Sequence, residues 1–258
     1  MTTARLPLFP LNTVLFPGLV LPLNVFEQRY RALMRDLLKL GEDAPRRFAV
    51  VAIRDGHEVA PTATGLPDAT ARTELGPAAG FGSDPLAAFH PVGCVADAAT
   101  VREREDGGFE VLATGTSRIR LVSVDTGGAY LTAETEEIPE REGDGAGALA
   151  SGVVRAFRTY QKRLAGASER SLAGEQELPG EPSVLSYLVA AAAVLDTPDK
   201  QELLEAADTA ERLRKELKLL RAESAVIRGA PGAGREIPFA ATLPVDRPRY
   251  RVKEYDFD

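Results

Sequence analysis

The chain has no tryptophan, one cysteine, two histidines and two methionines among 258 residues. A lone thiol, Cys94, cannot close an intrachain disulfide, so packing alone must hold the fold. His57, His90 and Cys94 are all the imidazole and thiol ligands there are, against the four of a structural zinc site, so no metal and no other cofactor is expected. No apolar run approaches the ~20 residues that span a bilayer, and the prolines at 7, 10 and 17 break the apolar N-terminus without a small-residue cleavage site. The expected compartment is therefore the cytoplasm. Positive charge is also in deficit, with 31 Lys and Arg against 38 Asp and Glu. A net charge of −7 opposes binding to phosphate backbones, so nucleic acid is not an expected partner.

What is present is a well-supplied apolar sequence, 44% by composition, long enough for one large or two small cores. From Arg5 to Leu23 four prolines favour extended chain, with short strands joined by the Phe16-Pro17-Gly18 turn. Asn24 and Glu27 have capping-box spacing, and Phe26, Tyr30, Leu33, Leu37 and Leu40 recur with helical period up to Gly41. Phe48–Ile53 is a short apolar run that reads as a buried strand. Residues 54–90 keep no period and form a long insertion. Strands are expected at 91–96, 100–105, 109–114, 117–124 and 130–138, with Asp106-Gly107-Gly108 as a hairpin turn. One early helix among short strands with glycine turns predicts a mostly antiparallel, partly closed β-domain over residues 1–140.

The period then changes. Six acidic residues between Glu134 and Asp144, followed by glycines, mark a boundary, and a helical bundle is expected over 146–228. Its first helix carries Val153, Phe157, Tyr160 and Leu164 on one face; its second starts at Pro182 and carries Val184, Leu185, Leu188, Val189, Ala192 and Leu195. Thr197-Pro198 opens a third. Asp208 with Glu211 caps a fourth, along which Ala210, Leu213, Leu217, Leu220, Ser224 and Ile227 form a seam that suits a local bundle. Residues 229–258 read as a Pro/Gly-rich tail.

Catalytic patterns are missing. There is no G-x-x-x-x-G-K-[ST] phosphate loop, no G-x-S-x-G elbow and no H-E-x-x-H helix, and Gly80-Phe81-Gly82 lacks the third glycine of a dinucleotide fingerprint. Cys94 sits in an apolar strand and reads as inert core; Ser117 has no general base in its neighbourhood of the sequence. The acidic run reads as a solvated linker, and Arg29, Arg31, Arg35 and Lys39 read as the outer face of the first helix. No catalytic residue is assigned, and no enzyme activity is expected.

Leu6-Pro7-Leu8-Phe9-Pro10-Leu11, Val14-Leu15-Phe16-Pro17-Gly18, Leu21-Pro22-Leu23 and Phe26-Glu27-Gln28-Arg29-Tyr30 resemble the opening of the Lon protease N-terminal, substrate-binding domain. Val92–Ala96, Ala113–Ile119, Asp199–Glu205 and Glu211-Arg212-Leu213 extend the similarity over about residues 5–228. The resemblance implies an α+β fold, a PUA-like β pseudo-barrel followed by a helical bundle. It also implies a non-catalytic module that binds unfolded or apolar polypeptide segments or a protein partner, with an adaptor role in protein quality control. The ATPase phosphate loop and the Ser–Lys protease domain of Lon have no counterpart here, so proteolysis is not implied. The first candidate contact is the turn Leu15, Phe16, Pro17, Gly18 and Leu19, since a loop that holds Phe and Leu rarely buries both; the alternative is that Phe16 caps the core. The runner-up function is an RNA- or small-ligand-binding PUA-like protein. The sequence does not set the oligomeric state.

Overall fold

A computed structural model describes residues 3–41, 44–54, 76–167 and 177–229. The strands are β1 (Thr3–Leu11), β2 (Val20–Val25), β3 (Arg47–Ala52), β4 (Val92–Glu103), β5 (Phe109–Asp125) and β6 (Thr132–Ile138). The helices are α1 (Gln28–Leu38), α2 (Pro85–Ala88), α3 (Ala146–Ala167), α4 (Pro182–Ala192), α5 (Thr197–Leu204) and α6 (Thr209–Gly229). The protein is mixed α+β, with the strands first and four of the helices last.

Strand pairing runs β2-β5-β4-β3-β1-β6, and β6 pairs again with β5. The long β5 makes this closure possible. Its first half holds β2 (Leu21↔Ala113) and its second half holds β6 (Leu121↔Thr135), while β4 pairs along its other edge. Among the described residues only β1 and β3 pair parallel, and every other pair is antiparallel. The unbroken apolar run of β3 follows from its burial on two faces. Phe48 and Val50 join a core with Phe9, Leu33 and Phe109, and Ala49 and Val51 join another with Leu8, Phe89 and Ile119. A Cβ on Gly93 would stand 2.3 Å from the Val50 carbonyl oxygen, so the approach of β4 to β3 requires glycine there.

Local expectations change at two places. The first helix starts at Gln28, and its N-cap is Glu27, whose side chain makes no capping bond. Asn24 instead belongs to β2, opposite Glu110, and Phe26 lies outside the helix and is 62% exposed. Sheet pairing here overrides a local capping signal. The expected strand pieces also fuse, 91–96 with 100–105 into β4 and 109–114 with 117–124 into β5, because register shifts absorb the irregular residues. Within 54–90, residues 55–75 lie outside the described residues, but the remainder is anchored. Phe81 and Phe89 are buried edge to face, and the Arg29 guanidinium donates to the carbonyls of Pro77 (3.1 Å) and Ala79 (2.8 Å). The tail beyond Gly229 lies outside the described residues, as does most of the 167–180 linker.

The C-terminal helices pack as read from their period. Val153, Phe157 and Tyr160 of α3 meet Leu185 and Val189 of α4 and Ala210, Leu213 and Leu220 of α6. Asp208 Oδ1 accepts the Glu211 amide at 2.8 Å, and the Glu211 carboxylate accepts the Ala207 amide at 2.9 Å. Glu216, on the same helix, is 1% exposed, and neither of its carboxyl oxygens has a hydrogen-bond partner among the described residues. Burial holds its carboxyl well above the ordinary value of 4.5, against the pull of Arg212. Folding therefore retains a proton that the unfolded chain releases, and stability falls as pH rises from that ordinary value toward the folded one. Glu216→Leu should raise stability near neutral pH by about 1–3 kcal/mol. In paired urea titrations the advantage should shrink on acidification toward pH 4.5, the ordinary carboxyl value. A gap independent of pH would contradict the assignment of a buried, protonated carboxyl.

Candidate functional site

The turn after β1 inserts between the sheet and the helices. Val14, Leu15 and Phe16 are all buried, and Phe16 is 1% exposed. Val14 and Phe16 share a cluster with Ala52 and Val92 of the sheet and with Tyr187, Ala190, Leu203 and Leu204 of the helices. The Phe16 and Tyr187 rings lie 6.1 Å apart, tilted by 38°. Phe16 is thus a core residue, and the expectation that it offers an exposed contact is corrected in favour of the capping alternative. Leu15 also lies inside, against the sheet core, and Leu19 is half-buried. Pro17 and exposed Gly18 are the part of the turn that reaches the surface.

Backbone geometry fixes this turn. Gly18 has φ +78°, a conformation that L side chains rarely adopt, and its amide donates to the Gly115 carbonyl at 2.8 Å. The Gly115 amide donates to the Leu19 carbonyl at 2.9 Å. A Cβ on Gly115 would stand 2.4 Å from the Phe16 carbonyl oxygen, so glycine on β5 lets the turn seat.

Beside the turn opens a cavity of about 340 Å³. Its apolar walls are Pro17, Ile138, Val184 and Tyr187, with Thr116 and Ser117 on the β5 side and Glu137 at the rim. Val184 is 44% exposed. Ile138, Val184 and Tyr187 were not among the predicted contacts. The signal for the α4 pair was its apolar residues on more than one face, which leaves one face available after packing.

Arg118 and Glu140, which line the cavity, belong to an ion cluster with two buried guanidiniums and one half-buried carboxylate. Arg118 of β5 and Arg212 of α6 have side chains 1% and 0% exposed and share one carboxylate, Glu140. Arg118 Nε lies 3.3 Å from Glu140 Oε2, and its Nη1 donates to the carbonyls of Leu204 (2.9 Å) and Ala206 (2.5 Å). Arg212 donates to Glu140 Oε1 at 3.1 Å, to Ser186 Oγ at 3.0 Å and to the Leu203 carbonyl at 3.1 Å. Its guanidinium stacks 3.9 Å from the Tyr187 ring centre. The Thr209 hydroxyl donates to Glu140 Oε1 at 2.8 Å, and the Tyr187 hydroxyl donates to Oε2. Burial alone would raise the Glu140 carboxyl, but Arg212, Tyr187, Arg118 and Thr209 together hold it below its ordinary value. The acidic run is therefore not merely a solvated linker, since its Glu140 is the anionic centre of the junction.

This arrangement ties β5, α5 and α6 together through one carboxylate. Burial pushes the Tyr187 phenol up and the Cys94 thiol up to about 12. His90 lies 4.0 Å from Glu205, with its imidazole lowered chiefly by burial. Ser117 reaches the cavity without a side-chain hydrogen bond to a base among the described residues. No three His, Cys, Asp or Glu side chains converge as metal ligands among the described residues, and none of their helices is long and apolar enough to cross a membrane.

The sequence profile of the ATP-dependent protease La (LON) substrate-binding domain matches residues 5–222. The chain belongs to that family. The match covers the substrate-binding domain alone, with the ATPase and protease modules of Lon outside it. Lon protease 2 of Syntrophobacter fumaroxidans is 28% identical over 211 residues, 80% of this chain and 23% of the relative. The chain thus spans about a quarter of the length of this curated Lon relative. The N-terminal domain of Mycobacterium avium complex Lon protease shares the fold at TM-score 0.54 and 20% identity, covering 86% of this chain and 98% of that one. The Lon N-terminal domain protein from Xanthomonas campestris does so at 0.52, also at 20% identity, covering 83% and 98%. The α+β expectation is met at the level of this shared fold.

Because Glu140 is, among the described residues, the one carboxylate that both buried guanidiniums share, and its own side chain is 34% exposed, Glu140→Gln should cost about 1–3 kcal/mol of stability after solvent screening, read by urea unfolding near neutral pH. Its depressed pKa adds a sign. The contribution is present above the ordinary carboxyl value of 4.5 and is lost as pH falls through the folded value, so the difference between wild type and variant should close in acid.

Proposed function

We propose that this chain is a non-catalytic polypeptide-binding module that captures apolar segments of substrate proteins in the cavity between the first turn and α4. The observation that carries the reading is an open apolar cavity, walled by Pro17, Ile138, Val184 and Tyr187, with the ion-paired Arg118 and Glu140 in its lining. Apolar surface left accessible beside a locked scaffold suits contact with a partner, since a rigid site loses little entropy on binding. Membership in a family described by substrate binding supports the same reading. An adaptor role in protein quality control, in the cytoplasm, follows from it. In this proposal residues 1–140 are a PUA-like pseudo-barrel, supported by the ring of strand pairing, and residues 146–228 are the helical unit. Of the predicted turn, Pro17 and Gly18 make the contact, while Leu15, Phe16 and Leu19 set its position.

Binding of a reduced, carboxymethylated and hence permanently unfolded polypeptide, followed by fluorescence anisotropy, tests this. Val184→Glu places a charge at an accessible wall without opening the core. It should weaken binding about tenfold, roughly the 1.4 kcal/mol expected from losing most of one valine's apolar contact, with an unchanged melting temperature. Equal affinity of wild type and variant, or no saturable binding by wild type, would overturn the proposal. Phe16→Asp is unsuitable as a probe, because it would put a charge into the shared core.

A further inference from the structure

In a chain of net charge −7, the 22-residue α3 carries Arg155, Arg158, Lys162 and Arg163 and no acidic residue. Like charges at helical spacing repel, so this helix bears a small cost that an anionic neighbour would remove. Part of that charge borders a groove of about 410 Å³ between α3 and α6. Arg155 and Arg163 of α3 and Arg221 of α6 stand along it, and among the described residues no carboxylate lines it. Arg155 and Arg221 are exposed and form no ion pair among the described residues, while Arg163 is tied to the Ser224 carbonyl at 2.9 Å. The groove also has an apolar floor of Gly152, Ala156, Leu217 and Leu220. A Cβ on Gly152 would meet Leu217 Cδ2 at 3.9 Å, ordinary contact, so the small residue leaves depth without straining the packing.

From this juxtaposition we infer that the α3–α6 groove docks an acidic amphipathic helix of a partner protein, apolar face down and carboxylates toward Arg155 and Arg221. The lining runs from Gly152 to Arg163 on α3 and from Leu217 to Ala225 on α6, a cradle about 15 Å long, enough for some three turns of a third helix. The groove is walled by side chains of helices whose backbone groups are already bonded internally. An extended segment would find no backbone partners there, whereas a helix satisfies its own. Nucleic acid is the poorer fit, because among the described residues the lining has no aromatic ring to stack on and its apolar floor offers a phosphate backbone nothing. This surface is separate from the Val184 cavity, since the two share no lining residue.

The test uses the full chain and a labelled synthetic peptide about three heptads long, with leucine at the a and d positions and glutamate on the flanks. Fluorescence anisotropy should report saturable binding that weakens with salt. Arg155→Glu combined with Arg221→Glu should weaken it at least tenfold, and Gly152→Leu should weaken it by filling the floor without changing charge. Both proteins should melt cooperatively at a temperature no lower than wild type and bind the unfolded polypeptide as wild type does, while Val184→Glu should bind the helical peptide normally. The proposal is overturned if the arginine or glycine variants bind the peptide unchanged, or if a lysine-for-glutamate peptide binds equally well. Competition by a single-stranded RNA for the same arginines would reassign the groove to nucleic acid. Self-association lost in the arginine variant would reassign it to a second copy of the chain. Either result also overturns the inference.

Discussion

A single carboxylate, Glu140, sits between the buried guanidiniums of Arg118 and Arg212, one from the sheet and one from the last helix. Each guanidinium also donates to main-chain carbonyls at the end of α5 or just beyond it, so the cluster binds three elements through one charge. Ions leave water at a cost of several kcal/mol each, and such a site persists only when nearly every donor and lone pair is matched. Glu140 meets that condition with donors from Arg212, Tyr187 and Thr209. Arg118 meets it only in part: its Nη1 is matched, while its Nε, ion-paired with Glu140, and its Nη2 have no hydrogen-bond partner among the described residues. The apolar cluster around Phe16 and Tyr187 supplies the complementary seal. The junction is therefore a packed core with an ion cluster set into it, and the cavity above it inherits fixed walls.

The charge balance around this centre is asymmetric. Two buried cations face one ionised carboxylate, while Glu216, which also feels Arg212, is driven by burial toward its neutral form. The two glutamates illustrate opposite outcomes of the same competition. Where hydrogen bonds and guanidiniums converge, the charged form wins; where burial comes without partners, the proton stays. Cationic excess recurs on the outside of the helical half, along α3, where exposure keeps the cost small and leaves the charge available for contact.

Much of the fold was legible because periodicity reports burial. The two-faced burial of β3 wrote itself as the unbroken run Phe48–Ile53, and the seam of α6 as alternating steps of three and four. Asn24 misled because its capping signal is local, whereas its place opposite Glu110 in β2 depends on a strand far along the chain. Breaks read at polar residues within β4 and β5 vanished because a bulge can carry a strand through them. At the site, Pro17 and Gly18 were legible as a turn. The depth of Phe16 was not, because a turn's apolar residue is exposed or buried according to what packs over it.

Local pattern was enough to set the element types, the apolar faces, the glycines at the first turn and the unbalanced positive charge of α3. Its opening motif also carried the family resemblance. Which charges meet was settled by packing in three dimensions. Glu140 and Arg212 stand 72 positions apart, and nothing in the local spacing of either marks the other as its partner. Coulombic attraction and desolvation depend on distance and burial in space, and chain packing, more than local pattern, sets both. For the same reason the acidic run read as solvent-facing until the fold turned one of its members into the anion on which the junction rests.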